Sequence, residues 1–272
     1  MTKIFLNRPN CAQNGEFATQ NTTLATQNKG VDEWSLSEIK RFFALTDVVL
    51  TEEQAQKFCV YGEFLQQKNQ SVNLTAITDK QGILQKHFLD SAYVAKYVPQ
   101  NATLCDVGCG AGFPSVVVKI IRPDVKITAV DSVGKKTAFV AELLQRLGVE
   151  GQTANMRAEE LAKQNREAYD VVCARAVAEL PTLLEYLAPL AKVGGLVLAQ
   201  KSRESQAEQA KATYACNILG LELIGAKEFC LPNGDNRVIL QYKKVLTTPK
   251  KYPRGQNAPR KNPLCFANET KK

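Results

Sequence analysis

Residues 106–114 read Asp-Val-Gly-Cys-Gly-Ala-Gly-Phe-Pro, and this segment constrains the fold more than any other. Three alternate glycines stand between an apolar run at 104–107 and a helical run at 114–121. Pro114 suits the first turn of that helix, where a missing N–H costs nothing. Glycine tolerates positive φ and lets a ligand approach the backbone closely. A strand that turns through such a loop into a helix can hold a nucleotide over the loop and the helix N-terminus. The same rhythm continues downstream. Strands are expected at 125–130, 153–156, 169–174 and 195–200, with helices at 134–147, 180–190 and 203–217. Such alternation argues a parallel sheet with helices on both faces, an α/β fold. Residues 220–229 and 236–245 read as two further strands around Pro232-Asn233-Gly234-Asp235, which predicts an antiparallel hairpin.

The glycine spacing narrows the ligand. A dinucleotide fold wants G-x-G-x-x-G. Here Gly108, Gly110 and Gly112 run G-x-G-x-G, and Phe113 stands where the third glycine should fall. That pattern resembles the loop of S-adenosylmethionine (SAM)-dependent methyltransferases. Nineteen residues past Gly112, the run at 125–130 ends in Asp131. A carboxylate at a strand tip can accept both ribose hydroxyls of an adenosine. Asp106 is expected near the ligand's amino-acid end, where its charge could attract an ammonium through water. Cys105 and Cys109 lack the third cysteine that an iron–sulfur cluster would need, since Gly112 occupies its place, and they read as buried thiols.

Composition excludes several classes. At 272 residues the chain can bury a sizeable core. Its 44% hydrophobic and 23% charged residues exclude wholesale disorder, collagen and coiled coil. No apolar run approaches the ~20 residues that span a bilayer, so no membrane association is expected. The opening MTKIFLNRPN lacks a secretory h-region, so export is not expected. None of the eight cysteines forms a C-x-x-C pair, which fits reduced thiols in a cytoplasm. The single histidine, His87, excludes a two-histidine metal site, and no metal is expected. A net charge of +8 weakly favours a polyanionic partner.

Four stretches are expected along the chain. Residues 1–34, polar and without apolar period, read as a disordered extension. Residues 35–100 read as a helical N-terminal region. Ser35 with Glu38, and Thr51 with Gln54, fit capping boxes. Ala55, Phe58, Cys59, Gly62 and Leu65 share one helix face. Leu84, His87, Phe88, Ser91, Ala92 and Ala95 share another, in a helix that Asp79 can cap and Pro99 ends. Residues 101–246 form the α/β domain. Residues 247–272 read as a basic flexible tail carrying Lys250, Lys251, Arg254, Arg260 and Lys261, with no acid up to Pro263.

Six pieces of sequence, in order, resemble the bacterial 16S ribosomal RNA methyltransferase G family, also called glucose-inhibited division protein B. They are Asn73-Leu74-Thr75-Ala76-Ile77, His87-Phe88-Leu89-Asp90-Ser91, the glycine loop, and Asp131-Ser132 with Lys135-Lys136. Arg157-Ala158-Glu159-Glu160, and Ala174-Arg175-Ala176-Val177-Ala178 followed by Ala199-Gln200-Lys201, complete the set. The resemblance covers about residues 50–245 and a basic tail. It implies a Rossmann-like seven-stranded SAM-dependent methyltransferase fold, and methylation of N7 of one guanine in small-subunit ribosomal RNA. Carried over, Gly108 and Phe113 line the methionine and adenosine side of the cofactor, with Gly110, Gly112, Asp106 and Ser132 around them. Asp131 meets the ribose, Ala158 and Glu159 flank the adenine, and Arg175 stands at the mouth. Ser115, Lys136, Lys86 and Ser202 depart from the family's usual residues.

Methyl transfer from a sulfonium is an in-line displacement, and guanine N7 offers a lone pair with no proton to remove. No general base is then required. The chain agrees: it lacks an N-P-P-Y or D-P-P-Y motif for an exocyclic amine, and Val172 rather than Pro or Thr precedes Cys173. Arg175 is the expected catalytic residue, orienting the base or a phosphate through its planar fork. The plainer alternative pairs it with Glu179 one turn on. His87 could act as a base with Asp90, but is expected instead to be buried between the helical region and the sheet. Lys135, Lys136, Lys201 and the tail cations are candidate contacts to 16S ribosomal RNA or the small ribosomal subunit. A monomer is expected. The other functional readings are an NAD-linked oxidoreductase and a non-catalytic RNA-binding protein with a relict cofactor pocket.

Overall fold

The structure is a computed structural model that describes residues 33–175, 177–202, 206–255 and 257–265. Apart from its last two residues, the extension expected to be disordered lies outside them. The chain opens with α1 (Leu36–Ala44), α2 (Glu52–Val72) and α3 (Lys80–Gly82). A π-helical stretch, Ile83–Leu89, then runs into α4 (Asp90–Ala95). Strands and helices alternate after that: β1 (Thr103–Val107), α5 (Ser115–Ile121), β2 (Lys126–Asp131), α6 (Gly134–Leu147), β3 (Gln152–Asn155) and α7 (Ala158–Gln164). They continue with β4 (Tyr169–Arg175), α8 (Leu180–Leu187), β5 (Ala191–Ser202), α9 (Gln206–Leu219), β6 (Leu221–Cys230), β7 (Asn236–Lys244) and α10 (Ala258–Lys261).

One seven-stranded sheet has the order β3-β2-β1-β4-β5-β7-β6. β1 to β5 pair in parallel and β7 is antiparallel to both of its neighbours, as the hairpin expectation requires. The period of two along each strand divides the core. Leu104, Ile127, Val171 and Leu198 face the N-terminal helices with α5 and α6. Cys105, Val130, Val172 and Val197 face α7, α8 and α9. Strand order reverses at β1, flanked by β2 on one side and β4 on the other, so a crevice opens at the carboxyl ends of these strands.

Local chemistry explains several joints. Thr51 and Gln54 complete a capping box at the start of α2. Gln54 Nε2 also donates to the Ile120 and Ile121 carbonyls at 2.9 and 3.1 Å, tying α2 to the end of α5. Asp79 caps α3 through the Gly82 N–H at 2.6 Å. The box expected at Ser35 does not form: its side chain makes no cap bond and meets Ser37 instead. The expected continuous helix over 79–98 is interrupted by the π turn, which no residue type in it announces.

The C-terminal segment corrects the expectation of a flexible tail over its described part. Tyr252, Pro259 and Leu264 are buried. Arg254 pairs with the buried Glu185 of α8 at 2.6 Å, and its own N–H donates to the same carboxylate. Thr182 donates to the Pro259 carbonyl at 2.9 Å. Arg166 donates to the Thr248 and Tyr252 carbonyls. Once acids elsewhere in the chain come within reach, a run of cations becomes a strap rather than a free end.

Candidate active site

The loop between β1 and α5 is shaped by its glycines. Gly108 and Gly110 have φ of +76° and +57°, a region that L side chains rarely adopt. A Cβ on Gly108 would lie 2.6 Å from Val177, whereas one on Gly110 would project into open space. The loop's amides are largely committed inside the protein. Gly108 and Cys109 both donate to the Val130 carbonyl, Gly110 donates to Asp131 Oδ2 at 3.1 Å, and Gly112 and Phe113 donate to the Cys109 carbonyl. Few main-chain N–H groups of the loop are therefore left to grip a ligand. A dinucleotide's pyrophosphate needs free N–H donors at such a loop. A sulfonium nucleoside carries no phosphate and does not.

A cavity of about 430 Å³ lies over this loop. Of the residues expected around a cofactor, Gly108, Gly110, Phe113, Asp131, Ser132, Ala158, Glu159 and Arg175 line it. Asp106 and Gly112 do not. Asp106 is fully buried behind the loop, where one carboxylate oxygen accepts from the Ser115 N–H at 3.1 Å and holds the start of α5. Burial pushes its carboxyl up to about 6, although the Ser115 donors and the Arg175 charge pull the other way. Asp131 ends β2 and faces the cavity. It accepts from Gly110 N–H and from Val133 N–H at 2.9 Å, which leaves further lone pairs for a ligand. Open space above Gly110 beside a strand-end carboxylate fits a nucleoside.

Arg175, at the end of β4, does not pair with Glu179. Its guanidinium donates to the Lys86 carbonyl at 2.8 Å, to Asp90 at 3.3 Å and to His87 Nδ1 at 3.1 Å. It also lies 5.1 Å from the Phe113 ring centroid. His87 stacks on Phe113 with centroids 4.4 Å apart and does not pair with Asp90. Burial, then the Arg175 charge, depress its pKa to about 3. Burial also raises the thiols of Cys105, Cys109 and Cys173 well above their usual range, so none is poised as a nucleophile.

A second cavity, about 610 Å³, adjoins the first and shares His87, Arg175 and Val177 with it. Lys201 lines it, but its ammonium is already held by Glu208 at 2.7 Å and by the Ala178 carbonyl. Lys201 and Arg254 are therefore engaged cations, contrary to their expected role on RNA. Lys136 and Arg260 line the first cavity. Lys135, Lys250, Lys251 and Lys261 are exposed. Sequence reasoning assigned no site role to Thr75, Met156, Arg157 or Tyr186, which also line the first cavity. Only the family-like stretches at 73–77 and 157–160 could have flagged Thr75 and Arg157. Among the described residues, no cluster could hold a metal ion and no helix is long and apolar enough to cross a membrane.

A parallel sheet reversed at β7, a glycine loop with its amides turned inward and a β2 carboxylate at the crevice define a Rossmann-like SAM-dependent methyltransferase. The family model for GidB, rRNA small subunit methyltransferase G, matches residues 54–233, and the chain belongs to that family. Proteins named ribosomal RNA small subunit methyltransferase G are similar over most of their length. That of Lactobacillus johnsonii is 44% identical over 79% of this chain and 93% of its own. That of Staphylococcus carnosus is 40% identical over 85% of this chain and 98% of its own. That of Acetivibrio thermocellus is 43% identical over 80% and 91%. The oxidoreductase and relict-pocket readings have no support in these matches.

Proposed function

We propose that the protein transfers the methyl group of SAM to N7 of one guanine in small-subunit ribosomal RNA. The observation that carries this is the first cavity: a strand-end acid, Asp131, beside the space over Gly110, with Arg175 at the border of a second cavity. Bound there, SAM supplies an electrophilic methyl on a sulfonium. Every other contribution belongs to the chain. Asp131 accepts the ribose hydroxyls, Ala158 and Glu159 flank the adenine, and Phe113 and Ser132 complete the wall.

Among the described residues of the cavity walls, the one histidine is not set up to remove a proton. His87 is already neutral and its two ring nitrogens are occupied by Arg175 and Thr75. N7 needs no such group, so catalysis rests on proximity and orientation, which can lower a barrier by ~7–11 kcal/mol. Arg175, fixed by three partners, orients the base from the second cavity. Exposed Lys135, Lys250, Lys251 and Lys261 neutralise phosphates, and the protein acts as a monomer. The test is incubation with labelled SAM and undermethylated small-subunit ribosomal RNA, followed by mapping of the modified base. Label on guanine N7 at one site is expected. Label on an exocyclic amine, or none on this RNA, overturns the reading.

A further inference from the structure

The loop between α2 and α3 ends in a hydrogen-bond chain whose direction can be worked out atom by atom. An arginine side chain only donates. Arg175 Nη2 lies 3.1 Å from His87 Nδ1, so Nδ1 accepts. His87 therefore carries its proton on Nε2. That atom lies 2.8 Å from Thr75 Oγ1 and donates to it. Thr75 Oγ1 accepts a second bond from the Ile77 N–H at 3.1 Å. Both lone pairs of the hydroxyl are then used, and its own proton remains to be given away. Its main chain is held as well: Asn69 accepts from its N–H and donates to its carbonyl, both at 2.9 Å. Thr75 is half-buried and lines the first cavity.

We propose that Thr75 is a ligand-binding residue whose hydroxyl donates to the carboxylate of the methionyl moiety of SAM. The inference rests on the cofactor reading above and extends it. Strand order supplies the direction. Along the carboxyl edge of the sheet, β3, β2, β1 and β4 present Ala158 and Glu159, then Asp131, then the glycine loop, then Arg175. With the ribose at Asp131 and the adenine toward β3, the amino-acid end points toward β1 and β4. There His87 stacks on Phe113 under Arg175 and holds Thr75. An anionic acceptor matches a donor-only hydroxyl in a cavity that the Arg175 guanidinium also lines, and hydrogen bonds to charged groups are the stronger kind.

Calorimetric titration of the full-length protein with S-adenosylhomocysteine and 5′-methylthioadenosine tests this, because the second ligand lacks the amino-acid end. Thr75→Val is expected to weaken the first ligand about tenfold or more and the second less than about twofold, the size of one charge-assisted bond. Thr75→Ala should do the same, and Thr75→Ser should retain wild-type affinity for both. Equal losses for both ligands, or none for either, overturn the proposal. Unchanged affinities with abolished methyl transfer to RNA would move the hydroxyl to the target base and overturn it too. Wild-type protein that binds neither ligand would instead sink the cofactor reading itself, and this proposal with it.

Discussion

Asp106 and Arg175 show how far a residue's role depends on what surrounds it. Both stand at strand ends in recognisable motifs, but only the folded chain shows that Asp106 is sealed behind the loop while Arg175 faces the cavities. The Asp106 carboxyl sits at about 6, raised from 3.8 chiefly by burial. A raised acid binds more protons in the folded state between those values, so stability falls as pH rises from about 4 to 6. The loss is on the order of 2–3 kcal/mol. Asp106→Asn should flatten that limb in denaturant titrations taken at several pH values, and an unchanged limb would refute the assignment. For Arg175, replacement by alanine should lower kcat/KM for RNA by about a hundredfold, the scale of a misplaced reactant. Lysine should not rescue it, because three partners in different directions need the planar fork. Undiminished transfer by a folded Arg175→Ala protein would end the catalytic role. Sequence reasoning singled out both residues, but it placed Asp106 beside the ligand, where the cavity lining does not have it, and it missed the pairing of the loop amides. Which N–H groups are taken up by Val130 and Cys109 depends on strand register.

Elements were legible where their period is strong. The strands behind the glycine loop, α6 over Gly134–Leu147 and the terminal hairpin follow the expected runs. So do the buried faces of α2 and of the turns after it, including Phe58, Gly62, Leu65, Leu84 and Phe88. The π turn at Ile83–Leu89 and the short α7 were not, since a π turn has no compositional mark and α7 has Arg157 at its N-cap, where Ser, Thr, Asp or Asn would have signalled a start. Gly62 shows what helix periodicity conceals. The pattern puts it on the core face of α2, and the structure adds the reason for its size: a Cβ there would lie 2.3 Å from the Trp34 ring. Trp34 is fixed by its indole N–H, which donates to Gln66 at 2.8 Å, and by its contact with Phe88. Helix propensity alone favours alanine over glycine by about 1 kcal/mol. Overpacking should outweigh it, so Gly62→Ala is expected to destabilise the protein by roughly 1–3 kcal/mol in chemical denaturation. A stabilised variant would show that the Trp34 ring moves aside freely.

At the scale of the whole molecule, the basic C-terminal segment does two things that composition alone merges into one. Its inner face is structural: Arg254 neutralises the buried Glu185, Tyr252 and Leu264 join the core under α8, and Arg260 reaches the first cavity. Its outer face carries Lys250, Lys251 and Lys261 in solvent. Deleting residues 247–272 therefore mixes the two effects. It should lower the melting temperature and weaken cofactor binding, where a merely flexible tail would leave both unchanged. Changing Lys250, Lys251 and Lys261 together to glutamine separates them. Exposed substitutions of this kind shift stability by only about 0.5 kcal/mol, so melting and S-adenosylhomocysteine affinity should stay near wild type. RNA affinity should fall, and the slope of log K against log salt should shrink by up to about 0.7 for each single-strand phosphate left without its cation, roughly 2 in all. The slope decides between a direct and an indirect effect. Weaker binding with an unaltered salt slope would mean that these lysines touch no phosphate, and that the strap serves RNA only by building the wall in which Arg260 stands.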